Sequence, residues 1–177
     1  MLARMSLSRC AALIVMVVAL AVIATFLIFE HVFGYQPCPL CLQQRLPWYF
    51  GAPLAALIAA TPEPQKRLRG VGLLLLALVF LISAGLGAYH AGVEWKFWPG
   101  PPGCSGQGAP ADAASLLDQL QSIRVVSCTD AAWRLFGLSM AGWNVLVSLA
   151  LVVVAAAGSL RVARSPRGDR AAPEARS

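Results

Sequence analysis

The chain has 177 residues, of which 58% are hydrophobic and 12% charged, and its mean hydropathy is +0.68. A soluble domain carries about 25% charged residues, so this composition excludes an ordinary soluble fold. The apolar fraction also excludes a disordered or collagen-like chain, and the sparse cations argue against nucleic-acid binding. The length allows one compact membrane unit and leaves no room for a separate catalytic domain.

Four uncharged runs predict four transmembrane helices. The first run, 10–29, has the length of about 20 residues that a helix needs to cross the hydrocarbon core. It is longer than the apolar region of about 7 to 15 residues in a signal peptide, so an uncleaved anchor is favoured over a cleaved one. The second run is the least apolar and contains Pro47 and Pro53, which predicts a kinked helix beginning near the cysteines. The predicted spans are 10–29, 42–62, 70–90 and 135–160, with outer loops at 30–41 and 91–134.

The distribution of Lys and Arg predicts the orientation of these spans. Ten of the fourteen cations lie in the termini and the 61–69 loop, which gives a net charge of +7 on that side and −1 on the other. Because cytoplasmic loops carry the excess of Lys and Arg, both termini are predicted to be cytoplasmic. Residues 1–160 then form a single membrane domain, and the basic tail 161–177 is predicted to be disordered.

The longer outer loop contains a pattern that predicts a short amphipathic helix. Polar residues lie there opposite four apolar residues at helical spacing. The apolar residues are Leu116, Leu117, Leu120 and Ile123. A helix at the membrane interface and a helix packed on the rim of the bundle fit this pattern equally well. The predicted fold class is therefore an all-α membrane protein, a four-transmembrane-helix bundle whose second outer loop carries this helix.

The topology places four of the five cysteines outside, which suggests two disulfides in an oxidising compartment. In Cys38-Pro39-Leu40-Cys41 the two cysteines have redox spacing, because residues i and i+3 share a helix face. Arg45 lies one turn further along that face. Together with the helix dipole, Arg45 makes Cys41 the better candidate for a stabilised thiolate.

Cys104 and Cys128 lie in the Pro- and Gly-rich second outer loop. A disulfide there is expected to be exposed, and exposed disulfides tend to be labile. The alternative is a structural bond that only closes the loop, worth about 3 to 4 kcal/mol in the chain-entropy model. Cys10, at the inner end of the first span, is interpreted as an inert buried residue.

Other chemistries fit the sequence less well. A zinc site of four cysteines usually shows two closely spaced pairs, and only one is present. Leu42 stands where a c-type haem site needs histidine, and no motif for a flavin or a nucleotide occurs. His31 and His90 are more simply interfacial or hydrogen-bonded residues than catalysts. We therefore expect no metal, haem or flavin.

Taken together, these motifs resemble the family of disulfide bond formation protein B, DsbB. The resemblance covers about residues 10–160. It rests on four spans, the Cys-x-x-Cys before the second span, and a set of further residues: Arg45, Cys104, Cys128, and the Gly-Leu-Ser-Met-Ala-Gly-Trp segment at 137–143. The short outer loop is a departure from the family, and the resemblance gives no role to the segment Glu94-Trp95-Lys96.

The resemblance implies a quinone-dependent thiol oxidase of the bacterial inner membrane, acting as a monomer. Cys104 and Cys128 would form the disulfide offered to a reduced periplasmic thioredoxin-fold partner of the DsbA type. Cys128 would then attack the Cys38–Cys41 bond, most plausibly at Cys38. Cys41 would face ubiquinone or menaquinone, which the sequence does not distinguish, with Arg45 and more weakly His90 binding the quinone.

Two other functions remain open on the sequence. A vitamin K epoxide reductase-like protein also has a four-helix bundle with Cys-x-x-Cys, but that family's pair lies late in the chain, whereas this pair precedes the second span. A membrane subunit without enzymatic activity, whose outer disulfides are structural, is the third hypothesis. Exchange with a reduced thioredoxin-like protein separates the enzyme from this subunit.

Overall fold

A computed structural model describes residues 6–101, 104, 128–131 and 133–164 of the chain. The elements in these ranges are α1 (Leu7–His31), α2 (Pro39–Ala60), a short 3-10 helix (Glu63–Gln65), α3 (Lys66–Glu94), β1 (Arg134–Leu135), β2 (Leu138–Ser139) and α4 (Met140–Arg164). Among the described residues, three helical segments are long and apolar enough to cross a membrane: Leu7–His31, Glu63–Glu94 and Met140–Arg164. The mostly helical prediction is confirmed, whereas a membrane crossing by α2 stays a prediction.

Two helices begin at different residues from those that the sequence predicted. α2 begins at Pro39 because Cys38 caps its first turn and proline suits the first helical position. α4 begins at Met140 because β1 and β2 form a small antiparallel hairpin, with Phe136 and Gly137 at positive φ in its turn. Ser139 Oγ then accepts a hydrogen bond from the Gly142 N–H at 3.2 Å, which caps α4.

Two predicted segments fall largely beyond the described part of the chain. The amphipathic helix at 116–123 lies outside it. The tail was predicted to begin at 161, but α4 continues to Arg164, and residues 165–177 lie outside the described ranges.

The helices pack through small side chains and aromatic pairs. α3 contacts both α2 and α4, and α1 contacts α2 and α4. In the buried core the rings of Trp48 and Phe80 meet edge to face with centroids 5.0 Å apart. A Cβ at Gly158 would lie 2.8 Å from Ala11 Cβ, so glycine there lets α1 and α4 approach closely. Cys10, the neighbour of Ala11, is half-buried and not fully buried as predicted.

Arg69 holds the connection between α2 and α3. Its guanidinium is fully buried and donates hydrogen bonds to the Thr61 carbonyl oxygen at 2.5 Å, Ser6 Oγ at 2.7 Å and Glu63 Oε1 at 3.1 Å. Arg9 donates to the same Thr61 carbonyl oxygen at 3.2 Å. Cations are favourable beside the C-terminal carbonyls of a helix, so these two arginines stabilise the end of α2.

Replacement of Arg69 by methionine should lower the free energy of unfolding by about 1.5 to 3 kcal/mol. Methionine keeps much of the packed stem but leaves the Thr61 carbonyl oxygen without its strongest donor. Unfolding of the detergent-solubilised protein by SDS measures the change. Arg67→Met, at an exposed neighbouring position, is the control and should change stability by less than about 0.5 kcal/mol. Equal losses in both variants would show that the contacts of Arg69 are not stabilising.

Candidate active site

The first turn of α2 carries the Cys-x-x-Cys pair. Cys38 is the N-cap residue, and its sulfur accepts a hydrogen bond from the backbone N–H of Cys41 at 3.1 Å. The two sulfurs lie 2.7 Å apart and both cysteines are free thiols. The pair therefore lies within reach of disulfide formation, at the helix terminus that the sequence predicted.

The other two outer cysteines form a disulfide. Cys104 and Cys128 are bonded to each other, and both are almost completely buried. They pack with Cys38, Leu40 and Val93 in a small apolar cluster. The expectation of an exposed bond is therefore wrong, because the bond turns inward against the ends of α2 and α3.

The two pairs meet at Cys38. The sulfurs of Cys38 and Cys128 and a ring nitrogen of His90 all lie within 4.8 Å of one another. This spacing puts the Cys104–Cys128 bond, here called the outer disulfide, next to Cys38 and Cys41, here called the inner pair. Thiol exchange between the two pairs therefore needs only a small movement. The same atoms have the spacing of metal ligands, but the Cys128 sulfur is held in a disulfide. The expected absence of a metal stays a prediction.

Cys38, rather than Cys41, has the hydrogen bonds that stabilise a thiolate. The Cys41 N–H donates to the Cys38 sulfur, His90 Nε2 lies 3.7 Å from that sulfur, and the Cys41 sulfur lies 2.7 Å from it. The neighbouring Cys41 and His90 lower the pKa of the Cys38 thiol to about 4, against burial, which raises it. The sequence favoured Cys41 as the thiolate. The contacts in the structure favour Cys38 instead, and the assignment of the thiolate stays a prediction.

The reactivity of Cys38 should therefore persist at acidic pH. With the inner pair reduced, alkylation of Cys38 by iodoacetamide should proceed at a nearly constant rate from pH 9 to about 5, then fall as the pH approaches about 4. Mass spectrometry of the Cys38 peptide measures the rate. The unfolded chain is the control, because its cysteine should lose reactivity below about pH 8.5. A fall near pH 8.5 in the folded protein would contradict this assignment.

The same pKa predicts how pH affects the stability of the reduced protein. Folding lowers the pKa of Cys38, so the native state gains stability when the thiolate is present. This contribution is complete above the ordinary thiol pKa and is lost as the pH falls towards about 4.

Arg45 lies near the Cys-x-x-Cys pair, but its side chain contacts residues of α1. Its guanidinium donates to Glu30 Oε2 at the end of α1 and lies over the Phe26 ring, 4.5 Å from the centroid. The expected contact with a Cys41 thiolate is therefore replaced by an ion pair across the α1–α2 interface. Arg45 and Cys41 nevertheless line the same cavity.

Buried polar residues that were not predicted from the sequence surround His90. Gln44 Nε2 lies 2.5 Å from His90 Nδ1, and Asn144 Nδ2 donates to Gln44 Oε1 at 2.9 Å. Glu94 Oε1 lies 3.8 Å from His90 Nε2, while the buried Glu94 Oε2 has no hydrogen-bond partner among the described residues. The available signal was the presence of Gln44 and Asn144 inside apolar helices, where polar side chains are usually functional.

A cavity of about 340 Å³ opens beside the Cys-x-x-Cys pair. This volume is within the range of about 300 to 1,000 Å³ for small-molecule sites. Its walls are mainly apolar and aromatic, and several polar groups converge on it. Aromatic and polar side chains line it together with Cys38 and Cys41: Phe26, Phe29, Arg45, His90, Trp133, Trp143 and Asn144.

Comparison with known proteins identifies close sequence similarity to one family. The family model described as "Disulfide bond formation protein DsbB" matches residues 8–158. "Disulfide bond formation protein B" of Saccharophagus degradans is 32% identical over 158 residues, covering 88% of this chain and 95% of the relative. The proteins of the same name from Marinobacter nauticus and Shewanella loihica are each 31% identical, covering 80% and 88% of this chain and 85% and 94% of the relatives.

Proposed function

Because the chain belongs to the DsbB family of disulfide bond formation proteins, we propose that it reoxidises a periplasmic thioredoxin-fold dithiol oxidase of the DsbA type and passes the electrons to membrane quinone. The observation that carries this proposal is the contact between the two cysteine pairs, with the sulfurs of Cys38 and Cys128 within 4.8 Å. Two cysteine pairs this close together form a relay for disulfide exchange. Two independent structural disulfides would have no reason to lie side by side.

We propose that all four helices cross the inner membrane and that both termini are cytoplasmic. The three apolar helices support crossing, and α2 has the length for a fourth span although it is less apolar. The excess of Lys and Arg at the termini and in the α2–α3 connection supports the orientation.

Topology reporters test this arrangement. A reporter fused after Arg69 or after Arg161 should be active on the cytoplasmic side, and one inserted between Cys104 and Cys128 should be active in the periplasm. The signal requires only that the inserted reporter folds, so it does not depend on redox turnover by the protein. A periplasmic signal after Arg69 would contradict the four-span arrangement.

The relay begins with the outer disulfide. A thiolate of the reduced partner attacks Cys104, which breaks the Cys104–Cys128 bond, forms a mixed disulfide and releases Cys128 as a thiolate. Cys128 attacks Cys38 in the oxidised inner pair, and Cys41 leaves with the electron pair. The second partner thiolate then displaces Cys104, which completes oxidation of the partner.

Restoration of the outer bond leaves the electrons on the inner pair. Cys104 attacks Cys128 in the Cys128–Cys38 bond, so that the Cys104–Cys128 bond forms and Cys38 leaves as a thiolate. The product is an intact outer disulfide beside a reduced Cys38–Cys41 pair. The structure has this combination of bonded and free cysteines.

The cavity beside Cys41 has features that suit a quinone ring. Aromatic side chains from α1 and the start of α4 offer flat apolar surfaces, while Arg45 offers hydrogen bonds to a ring oxygen. A bound quinone would accept the two electrons and two protons of the dithiol. Arg45 would orient the ring through its fork of N–H groups, and the aromatic walls would exclude water.

The burial of the outer disulfide favours a second candidate, a membrane protein with structural disulfides and no exchange activity. Cys104 and Cys128 are 0% and 1% exposed, as expected of a structural bond. This candidate predicts that a reduced thioredoxin-fold protein forms no mixed disulfide with Cys104, even when its own resolving cysteine is replaced to trap the product.

Anaerobic turnover tests the proposal. The purified protein is given a reduced DsbA-type oxidoreductase with ubiquinone or menaquinone, and both thiols and quinol are measured. We expect one quinol for each partner disulfide formed. Cys10→Ser is the matched control and should keep full activity. If partner oxidation does not require quinone, or a trapped mixed disulfide never forms, the proposal fails.

A further inference from the structure

A chain of hydrogen bonds runs through the bundle to the Cys38 sulfur. Trp48 Nε1 donates to Asn144 Oδ1 at 3.0 Å, and Asn144 Nδ2 donates to Gln44 Oε1 at 2.9 Å. Gln44 Nε2 lies 2.5 Å from His90 Nδ1, and His90 Nε2 lies 3.7 Å from Cys38 Sγ. Trp48, Gln44 and His90 are buried and Asn144 is half-buried, so the chain is largely shielded from bulk water.

The direction of the chain is determined first at Asn144. An indole nitrogen is only a donor, so the atom of Asn144 that faces Trp48 must be its carbonyl oxygen. The other end of the same amide lies 3.2 Å from the backbone carbonyl oxygen of Ser83, which is only an acceptor. Both neighbours require one orientation of the amide. Asn144 therefore presents an N–H group to Gln44.

The orientation of Gln44 is fixed by that of Asn144. Its oxygen accepts from Asn144, and its nitrogen lies 3.4 Å from the backbone carbonyl oxygen of Leu40, which again is only an acceptor. A flipped Gln44 would place two donors against each other at one end and two acceptors at the other. Gln44 therefore directs an N–H group at His90 Nδ1.

The N–H group of Gln44 determines which ring nitrogen of His90 carries the proton. Nδ1 must present a lone pair, so the neutral ring carries its proton on Nε2. The Nε2–H group faces Cys38 Sγ at 3.7 Å and Glu94 Oε1 at 3.8 Å. A proton on Nδ1 would point at the N–H of Gln44, so the arrangement disfavours the other neutral tautomer.

We propose that Trp48, Asn144 and Gln44 are positioning residues that hold His90 as the neutral Nε2–H tautomer, so that His90 donates a hydrogen bond to the Cys38 thiolate rather than accepting the Cys38 proton. The proposal rests on the proposed relay, in which Cys38 is a redox residue. It distinguishes this site from a thiol–imidazole pair in which the histidine acts as the base.

The consequence for the relay lies in the step that releases Cys38. When Cys104 attacks Cys128, the Cys104–Cys128 bond forms, the Cys128–Cys38 bond breaks, and the electron pair leaves on the Cys38 sulfur. A thiol with a lower pKa is a faster leaving group. A fixed donor at Cys38 therefore favours transfer of electrons from the outer pair to the inner pair.

Other titratable and charged groups face this centre. The Cys41 sulfur of α2 lies 2.7 Å from the Cys38 sulfur, and Glu94 Oε1 of α3 lies 3.8 Å from His90 Nε2. Arg45 of α2 is paired with Glu30 of α1. From α4, the neutral Asn144 reaches His90 only through Gln44. The contact from His90 to Cys38 is therefore a hydrogen bond from a neutral ring and is distinct from an ion pair.

Nitrogen-15 NMR of histidine tests the proposal directly. The chain has two histidines, and His31→Gln leaves His90 as the single signal. In the full-length protein in micelles, with the inner pair reduced, we expect the neutral His90 ring to show a protonated Nε2 and a bare Nδ1. A neutral ring with its proton on Nδ1 would overturn the proposal.

Variants test the role of the chain. Gln44→Met removes the donor, and Trp48→Phe removes only the indole N–H. In each we expect the neutral His90 ring to populate both tautomers, and the alkylation of Cys38 at acidic pH to slow, because the Nε2–H donor is then present in only part of the molecules. Gln43→Met, at an exposed position, is the matched control and should leave both readouts unchanged.

The readouts separate this proposal from the proposed function. Circular dichroism confirms that each variant is folded, and neither NMR nor alkylation involves quinone. A fixed His90 in a protein without quinone-dependent turnover would refute the function alone. Turnover together with a His90 spectrum that is identical in wild type, Gln44→Met and Trp48→Phe would refute the positioning chain alone.

Discussion

Replacement of Cys104 by serine should abolish oxidation of a reduced DsbA-type partner, while the Cys38–Cys41 pair remains oxidisable by quinone. The partner thiolate then has no disulfide sulfur to attack, but the inner pair keeps its contacts. Replacement of Cys38 by serine should block the relay at another point. The outer bond is then consumed once, giving at most one oxidised partner for each protein, and it is not regenerated. Quenched alkylation of thiols and quinol absorbance measure these outcomes.

The control for both variants is Cys10→Ser. Cys10 lies in α1, in the half of that helix remote from the Glu30 end that borders the cavity. It should turn over at the wild-type rate. Sustained turnover in Cys104→Ser and Cys38→Ser would contradict the relay and favour structural disulfides.

Replacement of Arg45 by alanine should raise the activation free energy for quinone reduction by about 2 to 4 kcal/mol, by analogy with the removal of one donor to a developing oxyanion. Alanine removes both the charge and the fork of donors that faces the cavity. Arg45→Lys keeps the charge and the ion pair with Glu30 but loses the planar fork. It should therefore chiefly raise the KM for quinone. Steady-state assays normalised to folded protein measure both effects.

Glu30→Gln is the matched variant for this prediction. It removes the anchor of Arg45 while keeping the guanidinium in the cavity, so the loss should be smaller than in Arg45→Ala. If Arg45 only anchors α2 at the membrane surface, KM for quinone should stay at its wild-type value in all three variants while protein abundance falls.

The class of protein and the local features of the site could be predicted from the amino-acid sequence alone. Long uncharged runs identify membrane helices because a bilayer admits few charges, and the run at 10–29 lies wholly within α1. The spacing of Cys38 and Cys41 places both sulfurs on one helix face because the period of the α-helix is a local property. The sequence also predicted that the second helix begins near the cysteines, and α2 begins at Pro39.

How these features are combined depends on packing between elements. Cys38 and Cys128 lie far apart in the sequence, and only the folded chain brings their sulfurs within 4.8 Å. The structure also paired Arg45 with Glu30 of α1 and placed the thiolate-stabilising donors on Cys38 instead of Cys41. Buried polar groups in an apolar bundle have no water to bind, so each must pair with whatever donor or acceptor the neighbouring helix presents. Helical periodicity shows which face a side chain occupies, but not which residue of another helix it meets.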